Sequence, residues 1–252
     1  MDLNCDMGEG FGRYHLGADE ELMPWITSAN IACGYHAGDP LVMRRTVSLA
    51  VRHGVAVGAH PGFPDLMGFG RRPMQATPEE AESYVLYQMG ALAAFARAAG
   101  VELAHVKAHG ALYNMAETDA ALAGAILQAI ERFDRNLIAV CPAGSAMAQM
   151  AAERGLRVAR EGFADRAYNS DGTLRSRRLP GALIQDPQAA AQQAVRMARD
   201  GVVIAHSGEA ISLHVDTICL HGDVPGAVEA VRAVRAALEA AGVRVERMGD
   251  AL

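Results

Sequence analysis

Short apolar runs alternate with longer amphipathic ones along all 252 residues, and that alternation leaves few folds open. Strand signals fall at Asp2–Cys5, Ala29–Cys33, Val55–Ala59, Glu102–Val106, Leu137–Cys141, Arg157–Glu161, Val202–Ala205 and Thr217–Leu220. Several are apolar throughout, as expected of parallel strands buried on both faces. Helix signals lie between them. Thr77-Pro78-Glu79-Glu80 reads as an N-cap, a proline at the first helical position and a capping-box glutamate, opening a helix that should end near Ala99 before Gly100. Leu122, Ile126, Ile130 and Phe133 repeat at helical spacing, as do Val228, Val231, Val234 and Leu238. Asp186-Pro187 starts another helix, which Gly201 closes. The expected architecture is one α/β domain over residues 1–252, a closed or nearly closed parallel (β/α) barrel. An open doubly wound sheet is the alternative, because alternation does not say whether the sheet closes.

Composition removes several function classes. A net charge of −6 leaves no basic stripe for nucleic acid. No apolar run approaches the roughly 18 residues that a membrane span needs, and MDLNCDMGEG lacks the basic start of a signal peptide. Cys5, Cys33, Cys141 and Cys219 are scattered, without a CxxC pair, as free thiols in a reducing cytoplasm would be. "GEGFGR" has the wrong spacing for a dinucleotide loop, and no Walker-type loop occurs.

Both architectures place ligands at the carboxyl ends of the strands. Asp6 and Glu9 follow the first strand, His36 and Asp39 the second, and His60 the third. The fourth runs into Lys107 and His109, the sixth ends at Glu161, and the last meets His221 and Asp223. Four of the nine histidines thus fall at one mouth, each within two residues of glycine or proline. Singly each would read as structural; together with Asp6, Lys107, Glu161 and Asp223 they read as a site. His53 suits a helix C-terminus, and His105, in phase with Lys107, reads as core. Asp6, His60 and His109, with His36 as a possible addition, would suit a divalent metal with open positions. Without a metal the same groups supply acid, base and charge stabilisation.

"DLNCDMGEGFGR", "SANIACGYHAGDP", "GAHPGFPD", "VKAHGALYN", "EGFADRAY" and "CLHGD" resemble, in order, the motifs of the LamB/YcsF family of 5-oxoprolinase A subunits, across nearly the whole chain. Ala108 stands where that pattern has proline, and Gly62 where it has serine. The resemblance implies a distorted barrel of about seven strands, like the glycoside hydrolase and polysaccharide deacetylase superfamily. It also implies ATP-dependent opening of 5-oxoproline to L-glutamate, with ATP as co-substrate and subunits B and C as partners.

A lactam amide is a poor electrophile, and phosphorylation of its oxygen by ATP would activate the carbon toward water. On that reading Asp6 or His60 is the base, Lys107 and His109 stabilise developing charge, and Glu161 is a second acid/base. Arg71, Arg72 and Arg166 are candidate clamps for carboxylate or phosphate. Glu9, His36, Asp39, Asn114, His221 and Asp223 complete the expected substrate shell. Lys107→Ala and His109→Ala are expected to abolish turnover with the melting temperature almost unchanged. The competing readings are a metal-dependent deacetylase of sugar amides and a non-catalytic 5-oxoproline-binding protein within the complex. The loop at 61–74 reads as a lid or a docking surface.

Overall fold

The computed structural model describes residues 1–222 and 226–251. Its strands are β1 (Asp2–Met7), β2 (Ser28–Ala32), β3 (Ala56–His60), β4 (His105–Val106), β5 (Ile138–Pro142), β6 (Arg157–Phe163), β7 (Val202–Ile204), β8 (Ala210–Ser212) and β9 (Thr217–Leu220). Seven of them close a parallel barrel in the order β1-β2-β3-β4-β5-β6-β9, which excludes the open sheet. Closure comes from β9 pairing with both β1 and β6: Asp2 stands opposite Thr217 on one side, and Glu161 opposite Thr217 on the other.

The helices are α1 (Asp19–Leu22), α2 (Pro40–His53), α3 (Pro78–Ala98), α4 (Gly110–Ala116), α5 (Ala120–Phe133), α6 (Ala146–Glu153), α7 (Pro187–Asp200), α8 (Ala227–Ala240) and α9 (Met248–Ala251). Their ends follow local chemistry. Thr77 and Glu80 form the reciprocal capping box of α3. Asp186 caps α7, whose far end turns through Gly201 at φ 62°. Apolar faces such as Leu122, Ile126 and Ile130 of α5 pack onto the barrel in one continuous core.

The expected strand at Val202–Ala205 does not join the barrel. Val202–Ile204 pairs antiparallel with β8 in a separate hairpin, turned by Ala205 N–H to Glu209 C=O at 2.8 Å. Val203 is buried while Ile204 is 36% exposed, so one face packs and the other meets solvent, unlike a barrel strand.

The β4 signal was expected from Glu102, and the strand holds only His105–Val106. Hydrogen bonds to the β3 side nevertheless continue through Lys107 N–H to Ala59 C=O and His109 N–H to Pro61 C=O. They keep His105, Lys107 and His109 on one face, pointing into the barrel. Gly58, opposite His105 on β3, has no room for a Cβ, which would overlap the imidazole ring.

Candidate functional site

Alternation along the strands fills the barrel with polar side chains. At the bottom, Asp2 accepts from the hydroxyls of Thr27 (2.7 Å), Ser28 (2.6 Å) and Thr217 (2.5 Å), and burial pushes its carboxyl pKa up. Above it, Asn4 Nδ2 donates to Thr217 Oγ1 (2.7 Å) and Glu161 Oε1 (3.0 Å). Asn30 Nδ2 donates to Asn4 Oδ1 (2.7 Å) and Asp6 Oδ1 (2.9 Å), and its oxygen accepts from His105 Nε2 (2.8 Å). His105 is buried as a core residue would be, and its ring lines the barrel interior within the polar network.

That setting makes His105 an acid-sensitive group. Burial, then the Lys107 and His60 charges, lower its pKa from 6.5 to about 3. An unfolded chain takes this proton near 6.5, while the folded one refuses it until about 3. The stability His105 supplies is therefore complete above pH 6.5 and lost as pH falls toward 3, by up to ~1.4 kcal/mol per unit. His105→Gln keeps a donor for Asn30 and removes the titration. Its urea-unfolding free energy should fall less steeply between pH 6.5 and 4.5 than the parent's, by close to one proton's worth; equal slopes would contradict this account.

At the top lies Lys107, with Nζ 3.0 Å from Asp6 Oδ1, 2.9 Å from Glu161 Oε1 and 3.1 Å from Cys219 Sγ. Glu161 Oε2 accepts from the Tyr113 hydroxyl at 2.6 Å. Burial alone would discharge the lysine, but Asp6, Cys219 and Glu161 outweigh it and hold the ammonium pKa well above its ordinary value. Burial likewise opposes ionisation of Asp6, and the charges of His60 and Lys107 override it, holding that carboxyl well below its ordinary value. Lys107 is only 3% exposed. The expectation that its removal spares the melting temperature is therefore corrected: truncation leaves two carboxylates buried without their cation.

A histidine cluster adjoins this triad. His60 Nδ1 lies 2.7 Å from Lys107 C=O, and His109 Nε2 lies 2.8 Å from Phe69 C=O. The other ring nitrogens, His60 Nε2 and His109 Nδ1, face each other at 2.9 Å. Fully buried His36 stacks on His109 at 3.7 Å between ring centroids, and Glu9 Oε1 lies 3.5 Å from both His36 Nε2 and His109 Nδ1. Burial and neighbouring imidazoles lower the pKa of His36 and His109 well below the ordinary value, so both are neutral at pH 7. One ligand atom from each of Glu9, His36, His60 and His109 lies within 4.8 Å of the others.

Above the triad a pocket of about 510 Å³ opens, lined by Asp6, His60, Lys107, His109, Tyr113, Asn114, Phe163, Arg71, Arg166 and His221 among others. A groove of about 660 Å³ lies elsewhere, beside α1 and α2, and touches none of these groups. In the pocket wall, His221 Nδ1 lies 2.8 Å from Asp165 Oδ2, and its backbone N–H donates to the same oxygen. A carboxylate only accepts there, so His221 carries its proton on Nδ1 when neutral. Burial opposes ionisation of Asp165, and His221 outweighs it, lowering the carboxyl pKa. Arg166 is buried, with Nη2 donating to Arg175 C=O at 2.7 Å. Burial and the charge of Arg177 lower its pKa to about 10.

The structure thus gathers Asp6, Glu9, His36, His60, Lys107, His109, Asn114, Glu161, Arg166, His221 and Arg71 at one mouth. Two expected residues lie elsewhere. Arg72 is bound to Asp65 in the 61–74 loop, its side chain 66% exposed. Asp39 caps α2, accepting from Leu41, Val42 and Gly12 N–H groups. Each is a short-range backbone solution that a motif cannot distinguish from a ligand contact. Asp223 lies outside the described residues.

The 61–74 loop is pinned rather than hinged: Gln88 bonds both backbone groups of Gly62, Ala111 N–H donates to Gly70 C=O, and Phe63 is fully buried. Asp165, Tyr113, Arg177 and Arg178 were missed. Asp165 was within reach, inside "EGFADRAY"; the arginines sit on a long excursion with no periodic signal.

Comparison with known proteins accords with this geometry. The LamB/YcsF family model matches residues 1–252. The chain is 59% identical over 249 residues to the 5-oxoprolinase A subunit of Symbiobacterium thermophilum, covering 99% of this chain and 95% of the relative. It is 59% identical over 250 residues to the 5-oxoprolinase A subunit of Pyrococcus furiosus, covering 99% and 98%. The crystal structure of a lactam utilization protein from Thermus thermophilus superposes with a TM-score of 0.93 at 50% identity, over 98% of each chain. A T48 deacetylase with substrate, at a TM-score of 0.50 and 16% identity over 99% of this chain and 89% of that one, shares the barrel fold. Matched from its first residue to its last, the chain belongs to the LamB/YcsF family.

Proposed function

We propose that this chain is the A subunit of an ATP-dependent 5-oxoprolinase, a hydrolase that opens the lactam of 5-oxo-L-proline to L-glutamate together with subunits B and C. The observation that carries the reading is the pocket itself. It sets one buried cation, Lys107, under an arginine-bearing rim, with a histidine in its wall whose tautomer a carboxylate fixes. Relatives named as 5-oxoprolinase A subunits support it at 59% identity.

In the reaction, the lactam oxygen attacks the γ-phosphorus of ATP and ADP leaves. Water adds to the activated carbon, the ring nitrogen departs as the protonated amine, and the acyl phosphate left behind is hydrolysed to glutamate and phosphate. Lys107 stabilises negative charge building on the oxygen side. His221, with Nδ1–H given to Asp165, offers Nε2 as the base for water and then as the acid for the leaving nitrogen. That moves the base away from Asp6, whose carboxylate Lys107 and Asn30 already hold. Arg166 and Arg71 take the substrate carboxylate or the transferred phosphoryl group.

Reconstitution tests the reading. Glutamate release from 5-oxoproline should require ATP, this chain and subunits B and C, and should stop when any one is left out. A folded, complete mixture that stays silent would overturn it. Turnover by B and C alone, accelerated only through a lower KM when this chain is added, would make the chain a binding component.

A further inference from the structure

The hydrogen bonds of His60 and His109 leave a conflict that a cation resolves. A carbonyl oxygen only accepts, so His60 donates from Nδ1 to Lys107 and His109 donates from Nε2 to Phe69. In neutral imidazoles the two remaining nitrogens then carry lone pairs, and these are the atoms that face each other at 2.9 Å. Two lone pairs at that distance repel unless something positive lies between or beside them.

The surroundings specify what. His36 is fully buried, and neither of its ring nitrogens has a hydrogen-bond partner, a costly state for a polar ring. Its Nε2 and His109 Nδ1 each lie 3.5 Å from the same oxygen, Glu9 Oε1. Donor atoms about 2.0–2.1 Å from one ion stand about 2.9–3.4 Å apart at bond angles from 90° to tetrahedral. The separations of 2.9 and 3.5 Å lie close to the edges of a coordination polyhedron, and the four donors, all within 4.8 Å of one another, would draw together around the ion on binding. An imidazole whose second nitrogen donates to a backbone carbonyl is also the usual state of a metal-bound histidine, because that bond fixes tautomer and ring orientation.

We propose that Glu9 Oε1, His36 Nε2, His60 Nε2 and His109 Nδ1 bind one divalent ion of the zinc class, for which three imidazoles and a carboxylate are a fitting donor set. Asp6 is left out of the set: its Oδ1 is taken by Lys107 and Asn30, while its Oδ2 lies 3.4 Å from His60 Nε2 at the edge of the cluster, so the Asp6→Asn arm below decides between this set and the Asp6, His60, His109 trio expected from sequence. Glu9 and His36 lie behind the pocket wall and His60 and His109 in it, so the ion meets the pocket from one side. This donor set does not rest on the reaction assigned above.

Metal analysis of the full-length chain, carrying no histidine tag, tests this without any turnover assay. After incubation with Zn²⁺ and desalting, one ion per chain is expected, and Co²⁺ in its place should give the visible d–d bands of imidazole coordination. Glu9→Gln and His109→Asn should each weaken Zn²⁺ binding by roughly 100-fold or more, while Asp6→Asn keeps it. A folded parent chain that retains no Zn²⁺ and shows no Co²⁺ bands would overturn the proposal and leave a shared proton between His60 and His109. Loss of the ion in Asp6→Asn as complete as in Glu9→Gln would overturn the ligand set. The parent's Co²⁺ spectrum decides the matter even where a variant fails to fold.

Discussion

Lys107→Met should lower 5-oxoproline turnover by the reconstituted enzyme by roughly 10³-fold or more, the scale of losing a preorganised charge stabiliser. The same change should cost about 3–5 kcal/mol of stability, because it leaves Asp6 and Glu161 buried without the cation that both contact. The two losses are separable. Adding Glu161→Gln removes one of the stranded charges, and the amide can still accept from the Tyr113 hydroxyl that bonds Glu161 at 2.6 Å. The double variant should recover part of the lost stability and none of the activity. Denaturant titration and glutamate release, measured on the same preparations, check both halves. If activity returned with stability, Lys107 would be a structural ion and not a reacting-site cation.

Asp165→Asn comes next in size and tests the His221 dyad. The carboxylate holds the proton on His221 Nδ1 at 2.8 Å, leaving Nε2 as the acceptor. An amide at the same place can donate instead, which moves the imidazole proton to Nε2 and removes the base. A fall in kcat of roughly 10²–10⁴-fold is expected, with KM for 5-oxoproline nearly unchanged, since no substrate contact is removed. Loss of the limb of the kcat–pH profile that reports the base should accompany it. A variant with normal kcat, or one whose whole defect lies in KM, would show that His221 only shapes the pocket. Because Asp165 also accepts the His221 backbone N–H at 2.9 Å, a modest stability loss is expected too, and the pH profile separates it from catalysis.

Much of the barrel was readable before any coordinates, because strand and helix signals are local. Largely apolar runs point to β2, β5 and β9, and Thr77 with Glu80 fixes the start of α3 through side chains three residues apart. Strand ends could also be read as a mouth, since alternation and chain direction put Asp6, His60 and His109 there whichever way the sheet closed. The signal at Val202–Ala205 yields a strand as expected, but its place outside the barrel is not legible in the sequence, because a short apolar run looks alike in a barrel and in a hairpin. The difference is the exposed face of Ile204, which the pairing with β8 decides.

Residue type and order, then, determined that this chain makes strands in sequence and carries its acids, bases and cations at their ends. Only the tertiary structure decided which of those groups touch. Closure through β9 brings Cys219 to Lys107 across 112 residues and Asn4 to Glu161 across 157. The same closure turns a lysine that could have been a solvated loop charge into a buried ion held by two carboxylates. Asp165 and His221 meet across 56 residues, and Arg72 is diverted to Asp65 seven residues away. The physical reason is one of range. Helix caps and strand faces depend on neighbours within a few residues, whereas pairing, burial and pKa depend on distances through space that closure of the sheet sets.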